Sequence, residues 1–387
     1  MSSVSSNVEF AVPGRLEQMS TRVAFFIAGF GTAAWAPLVP FARARTGLDE
    51  GELGLLLFCL GVGSIFSMPV AGALASRYGI RRVIVVAALL ICAMLPLVAT
   101  VSSIFWLAAC LLVFGASVGA VDCVINLQAV IVERASGKAM MSGFHGLYSL
   151  GGIAGAGGVS GLLSLGASPL IAMFCVVAIL LIALLRATPH LLPYSGQGGT
   201  AAFAVPHGVV LFLGLLCFVV FLTEGAMLDW SAVFLISVRG LEPSLAGFGY
   251  AAFAATMTIG RLTGDVIVQK LGGVRVVLFG ALCAACGLFL ATLAPGPIAG
   301  LAGFALVGVG CSNIVPVLYT AVGRQKVMPE ALAVAAISTL GYAGILSGPA
   351  GIGFLAHVTS LSLALQAVAV LMIGVAACSR LLRRYNL

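Results

Sequence analysis

Gly47-Leu48-Asp49-Glu50-Gly51-Glu52-Leu53-Gly54 has an echo later in the chain, Gly240-Leu241-Glu242-Pro243-Ser244-Leu245-Ala246-Gly247. The shift between them is 193 residues (47 to 240), and it holds along the sequence. Gly79 and Arg82 return as Gly272 and Arg275, Gly115 as Gly308, and Gly151, Gly155 and Gly158 as Gly344, Gly348 and Gly351. These are seven glycine pairs at one offset, where 49 glycines in 387 residues should give roughly three by chance. The chain is built twice.

Composition sets where the two copies reside. Charged residues make up 8% of the chain and hydrophobic ones 61%, against about 25% charged in ordinary soluble domains. So few charges cannot wet an outer surface, and that surface must meet lipid. Apolar runs of about 20 residues, long enough to span a bilayer, recur near 21–42, 53–75, 82–101, 104–132, 140–165, 169–187, 208–237, 244–268, 274–294, 298–322, 331–356 and 361–382. The fold class expected is an all-α membrane protein with twelve transmembrane helices in two parallel-repeat six-helix bundles. Such repeats around a central site are the plan of secondary transporters. The expected organisation is a tail over 1–20, a first bundle over 21–188, a linker over 189–207 and a second bundle over 208–387 ending in a short basic tail. The linker is read from the polar, glycine-rich stretch between Pro189 and Pro206. The first nineteen residues hold no apolar core, so the first helix is expected to be retained.

The net charge of +7 would suit a nucleic-acid binder, but its placement argues against one. With both ends on one side, sixteen of the nineteen Lys and Arg fall on that side, and only Arg43, Arg45 and Arg239 fall opposite. That is the positive-inside asymmetry, which puts both termini in the cytoplasm and requires an even number of spans. The basic charge is a topology signal.

Enzyme-like strings are few. Cys283 and Cys286 form a lone C-x-x-C on an apolar helix, without a second pair or a histidine to make a metal site, and read as packing. Gly158-Val159-Ser160-Gly161 resembles the G-x-S-G of intramembrane serine proteases but lies in a glycine stripe with no second catalytic motif. No G-x-x-x-x-G-K-[ST] phosphate loop occurs. No cofactor, metal or catalytic residue is expected.

Gly72-Ala73-Leu74-Ala75-Ser76-Arg77-Tyr78-Gly79-Ile80-Arg81-Arg82 resembles the G-x-L-a-D-r-x-G-r-[KR] signature between helices two and three of the major facilitator superfamily. Gly72, Leu74, Arg77, Gly79 and Arg81 match, while Ser76 stands in place of the acid and Ile80 in place of a base. The second half carries a looser copy, Gly260-Arg261-Leu262-Thr263-Gly264-Asp265 followed by Gly272, in which the acid is kept. Asp122-Cys123-Val124-Ile125-Asn126, Met141-Ser142-Gly143-Phe144-His145-Gly146 and Glu224-Gly225-Ala226 with Asp229-Trp230-Ser231 are similar to the branch containing the fucose permease and the YbjJ-like bacterial carriers. The resemblance covers nearly the whole chain after the first twenty residues. It implies alternating access around a central cavity, coupling to protons, and a place in the bacterial cytoplasmic (inner) membrane. In the superfamily the acid of the signature clasps the start of helix eleven. Ser76 leaves that clasp without its charge, whereas Asp265, held by Arg261, should face the start of helix five near Ser142 or His145. The cytoplasmic gate expected is Arg77, Arg81, Glu133, His145, Arg261 and Asp265.

Of twelve acids, Asp122, Glu224 and Asp229 lie deep in apolar runs, where an ionisable group costs about 3 kcal/mol or more unless it has water or a partner. They are the proton-coupling candidates, since removal from water favours the protonated form of a carboxyl. Asp122, Asn126 and Glu133 fall at i, i+4 and i+11, within about 40° of one another around a helix, and form a polar stripe suited to a cavity wall. A buried Asp–Asn hydrogen bond that only positions helices is the alternative. Glu224 and Asp229 are five apart, so they diverge by about 140° and cannot both point into one cavity. Trp35 and Trp230 occupy nearly matching places in the two halves and could stack on a sugar ring or anchor an interface. Asn126, Asn313, Thr339 and Tyr342 complete the expected polar lining. With no Lys or Arg expected at mid-depth, the substrate should be neutral or cationic. The function expected is proton-coupled uptake of a small, sugar-like molecule by a monomer, with proton-antiport efflux of drugs or metabolites as the alternative. A non-transporting sensor or a membrane enzyme is the remote third reading.

Overall fold

The computed structural model describes residues 13–48, 50–193, 205–242 and 245–385. Asp49 of the repeat, residues 1–12 of the expected tail and 194–204 of the expected linker lie outside the described residues. Among those described there is no strand, and twelve helices are long and apolar enough to cross a membrane. They are α1 (Arg15–Thr46), α2 (Glu52–Tyr78), α3 (Ile80–Thr100), α4 (Ile104–Ser136), α5 (Met141–Ser164) and α6 (Pro169–His190). The second set is α7 (Gly208–Ser237), α8 (Phe248–Leu271), α9 (Gly273–Leu293), α10 (Pro297–Arg324), α11 (Glu330–Val358) and α12 (Leu361–Arg383). They match the twelve apolar runs to within a few residues, except that α1 begins earlier than 21. Large apolar side chains such as Phe66, Leu185 and Ile298 stand exposed on the outside, as a lipid-facing surface requires.

The repeat in the sequence is a repeat in backbone demands. Gly79 and Gly272 join α2 to α3 and α8 to α9 with φ of 90° and 78°, a region that costs any other residue. Gly115 on α4 lies against the Leu60 carbonyl and Gly308 on α10 against the Phe253 carbonyl, so a Cβ at either would strike backbone. Leu60 and Phe253 are themselves 193 apart (60 to 253). The same helix crossing is therefore made twice, and its closeness is why glycine recurs there. Arginines on the face away from the chain ends repeat a role too. Arg45 donates to the carbonyls of Val98, Ala99 and Val101 (2.8 to 3.0 Å), and Arg239 to that of Ala291 (2.6 and 2.9 Å). Each satisfies carbonyls orphaned at the end of α3 or α9.

Two helices are broken. After Ala33, α1 passes through a short 3₁₀ turn at Ala36–Leu38, next to Pro37 and Pro40, which cannot donate to the helical ladder. The tenth helix stops at Cys311 and restarts at Ile314. Pro316 has no N–H to give to the residue four before it, and the Ser312 carbonyl is left open to another donor. Between the halves, α2 packs on α11 and α5 on α8, with α4 against α10 and α11.

Candidate functional site

The open carbonyl of Ser312 is taken by Arg261, whose Nε lies 3.4 Å away. Arg261 also donates from Nη1 to Ser149 Oγ on α5 (3.0 Å) and from Nη2 to Glu224 Oε1 on α7 (3.3 Å). Its side chain is buried, and residue 261 lies in the middle of the 248–271 span. This corrects two expectations. A cation does sit at mid-depth, and Arg261 serves Glu224 rather than Asp265. Sequence reading had assigned it to the loop signature that it opens; the helix continues past it to Leu271 and carries it inward. Glu224 turns toward this arginine, whereas Asp229 is exposed.

Asp122, on α4 in the other half, lies within electrostatic reach of the same guanidinium. One turn further along α4, Asn126 donates from Nδ2 to the Asp122 carbonyl (2.9 Å). Its Oδ1 therefore accepts, and His145 Nε2, 3.1 Å away, is the protonated nitrogen of that ring. The His145 ring is packed between Phe25 and Tyr319, at centroid distances of 5.3 and 5.7 Å. Tyr319 in turn shares a 2.7 Å hydrogen bond with Ser338 of α11. His145, one turn inside the start of α5, thus joins α4 to α10 through Asn126 and Tyr319.

Of the other lining candidates, Tyr342 lies with Tyr148 near Asp122. Trp35, beside the break in α1, is buried, and its indole N–H has no hydrogen-bond partner among the described residues; the same holds for Trp230 Nε1. The Trp230 ring fits against Gly353 of α11, where a Cβ would come within 3.1 Å of it. Asn313, at the restart of α10, donates to the Gly260 carbonyl and to Ser312 Oγ (3.0 Å each), while its Oδ1, beside Gly264, has no partner among the described residues. Thr339 bonds its own helix at Ala335 O (2.7 Å), and Tyr342 packs on Phe221 at 6.3 Å.

The face bearing both described chain ends is joined across the halves at two places. At the start of α5, Glu133 Oε2 accepts the N–H groups of Met140 and Met141 (2.7 Å each), its Oε1 accepts from Thr320, and Asp265 Oδ1 accepts from Gly143 N (3.0 Å). At the start of α11, Arg134 grips Glu330 with both guanidinium nitrogens (2.7 and 3.1 Å). A cavity of about 390 Å³ lies by these joints, lined by Glu133, Arg134, Lys138, Asp265 and Thr320 among others. Arg81 is turned elsewhere, to the carbonyls of Pro189 and Leu191 after α6 (2.8 Å each), and Arg77 lies over Tyr78. Both make these contacts inside their own half. Sequence reading missed Ser149, Thr320 and Glu330, which gain meaning only from partners more than a hundred residues away.

Twelve helices in two like halves, with charged groups gathered at the centre between them, define a membrane transporter. The comparisons carry the identification further. The profile of the Major Facilitator Superfamily matches residues 23–349, and the chain belongs to that family. An uncharacterized MFS-type transporter of Yersinia pestis is 55% identical, over 96% of this chain and 97% of the relative. The membrane protein MosC of Rhizobium meliloti is 30% identical over 94% of this chain and 89% of its own length. Among solved structures, the E. coli fucose:proton symporter FucP shares the fold with a TM-score of 0.80 at 16% identity, covering 94% of this chain and 98% of that one. A second structure of FucP, in the outward conformation, gives 0.79.

Proposed function

We propose that this chain is a proton-coupled symporter of a small neutral polar solute, sugar-like in character. It works as a monomer in the bacterial inner membrane with both termini in the cytoplasm. The observation that carries the reading is the buried pair of Arg261 and Glu224, with Asp122 of the opposite half within electrostatic reach of the same arginine. Ionisable groups at that depth are costly and serve pumps and carriers as proton sites. A neutral substrate still fits although Arg261 is present, because Glu224 occupies its charge. FucP, whose fold this chain shares, is a fucose:proton symporter. The joined terminal face and the likeness to outward FucP support a state open to the opposite side.

The test is uptake of fucose and other labelled sugars into proteoliposomes under an imposed pH gradient. Inward protons should drive accumulation of at least one sugar. Asp122→Asn or Glu224→Gln should abolish it, at least tenfold, while exchange of unlabelled for labelled sugar stays measurable. Export against the gradient would assign antiport instead, and full accumulation by both variants would remove these carboxyls from coupling.

A further inference from the structure

The cavity of about 390 Å³ on the terminal face is walled by both halves and is separate from the central charged pair. Lys138 and Ser142 line it from the first half, Gly273 at the start of α9 and Arg324 at the end of α10 from the second. Its two acids are already answered: Glu133 accepts from Met140 N, Met141 N and Thr320, and Asp265 from Gly143 N. Arg134, which also lines it, is held by Glu330. The charge left over is positive. Lys138 is exposed, and its ammonium has no ion-pair partner among the described residues. Arg324 adds a permanent cation from the other half.

The start of α9 favours an anion as well. No side chain caps its first amides, and its first turn holds no acid, which leaves a positive dipole end beside basic side chains. An independent sign lies in the buried wall. Ser142 is 1% exposed, and its Oγ has no hydrogen-bond partner among the described residues. A buried hydroxyl left in that way is costly unless a ligand or water bonds to it. Met141, Val268 and Val317 give the same cavity an apolar wall, the mixture of few polar groups and apolar surface that small-molecule sites use.

We propose that this cavity binds a phosphate monoester, and that the bound ester locks the terminal face closed. Lys138 and Arg324 hold the phosphate from opposite halves, the uncapped start of α9 and Ser142 complete its hydrogen bonds, and the organic part lies on the apolar wall. Because the site exists only while the halves are joined here, its ligand shifts the population toward that state. The ester is thus a brake on the carrier, distinct from its transported solute. Only the side from which it arrives, the cytoplasm, rests on the transport reading above.

The experiment follows thermal unfolding in detergent with about 10 mM glucose 6-phosphate, inorganic phosphate or glucose, and with chloride at matched ionic strength. A second arm uses nanodiscs of phosphatidylcholine with and without phosphatidic acid, whose headgroup is a lipid-borne phosphate monoester. Glucose 6-phosphate should raise the melting point by about 2 °C or more, and glucose and chloride should not. Lys138→Gln and Arg324→Gln should each weaken the effect about tenfold, Ser142→Ala about threefold, and Lys138→Arg should retain it. Melting without ligand checks that each variant is folded, and the exposure of Lys138 makes that variant the safest. With ester present, a cysteine introduced at the terminal-face mouth should react about threefold more slowly. Stabilisation by glucose 6-phosphate assigns a soluble ester, and stabilisation by phosphatidic acid alone assigns a lipid headgroup; either supports the site if Lys138→Gln removes it. An equal shift with glucose or chloride, a shift undiminished in both charge variants, or no shift in either medium overturns the site. Unchanged cysteine reactivity with the ester bound overturns the lock. None of these readouts needs transport, so failure of the proton-coupled reading leaves this result standing, and the reverse holds too.

Discussion

The two joints on the face that carries the chain ends occupy equivalent places in the repeat, yet they are made of different chemistry. The joint at α5 is built from carboxylates on backbone N–H groups: Glu133 on Met140 and Met141, Asp265 on Gly143. The first amides of a helix have no partner within it and present a positive dipole end, so an acid there answers both needs without any basic side chain. The joint at α11 is an ion pair between Arg134 and Glu330, and the Arg134 side chain is 54% exposed. With its arginine half in water, the pair is partly screened by salt, although Glu330 itself is buried. The acid lost at Ser76 is thus replaced on the partner helix, by Glu330, and the strength of the closure rests on α5. A duplicated scaffold has kept its backbone crossings and changed what fastens them.

The largest effect should come from breaking the α5 joint at Glu133. Glu133→Ala removes the acceptor of two buried N–H groups and the link to Thr320 on α10. Each orphaned donor costs about 1–3 kcal/mol. The variant should unfold at clearly lower temperature in detergent, and a cysteine introduced at the terminal-face mouth should become more reactive. Unchanged reactivity and melting would mean that Glu133 caps nothing that matters.

Asp265→Asn should follow at about 0.3–1 kcal/mol, since the amide still accepts from Gly143 but loses the charge that favours a helix N-terminus. The resting population should shift toward opening at the terminal face, read by cysteine accessibility at the two mouths. Raising salt should leave this effect largely intact, because the acceptor is half-buried against backbone.

How these joints were legible in advance is uneven, for a physical reason. The fold was written in the chain: twelve apolar runs and a glycine repeat are properties of local sequence and of backbone φ and crossing distance. Asp265 could be pointed at α5 because the signature that contains it has a known geometric partner. Arg261, four residues earlier, could not, since its position in depth depends on where α8 ends. The spans α5 and α8 have the lowest mean hydropathy of the twelve, 1.2 each, and that dilution by polar groups was the available sign of a charged seam. Arg134 and Glu330 are 196 residues apart, and nothing in one sequence pairs them. Trp35 and Trp230, both with an indole N–H that has no partner among the described residues, were found by residue type.

The α11 joint should yield less than either carboxylate of α5. Arg134→Gln is expected to cost about 0.2–1 kcal/mol at low salt and nearly nothing in about 1 M salt, where screening reaches within about 3 Å. Cysteine accessibility at the terminal-face mouth, titrated with salt in wild type and variant, reads this directly. If the variant's effect is as large in high salt as in low, the contrast between the two joints fails.

The smallest effect belongs to Ser76→Asp, which restores the acid of the superfamily signature. The sequence alone argues that this change should strengthen closure. In the structure, Gly72, one turn before Ser76, packs against Ala331 and Ala335, so position 76 points toward the first turn of α11. Glu330 already occupies that turn and holds Arg134. A new aspartate would gain about 0.3–1 kcal/mol from the helix end and lose a few tenths or more to repulsion by Glu330. The net change should stay within about 0.5 kcal/mol. In a Glu330→Gln background the repulsion is gone and Arg134 is released, so the same substitution should then favour the closed terminal face by about 0.5–1 kcal/mol. A four-membered cycle of cysteine-accessibility measurements isolates the coupling. If Ser76→Asp closes that face equally well with and without Glu330, then Glu330 has not taken over the missing acid, and the two joints are more alike than their chemistry implies.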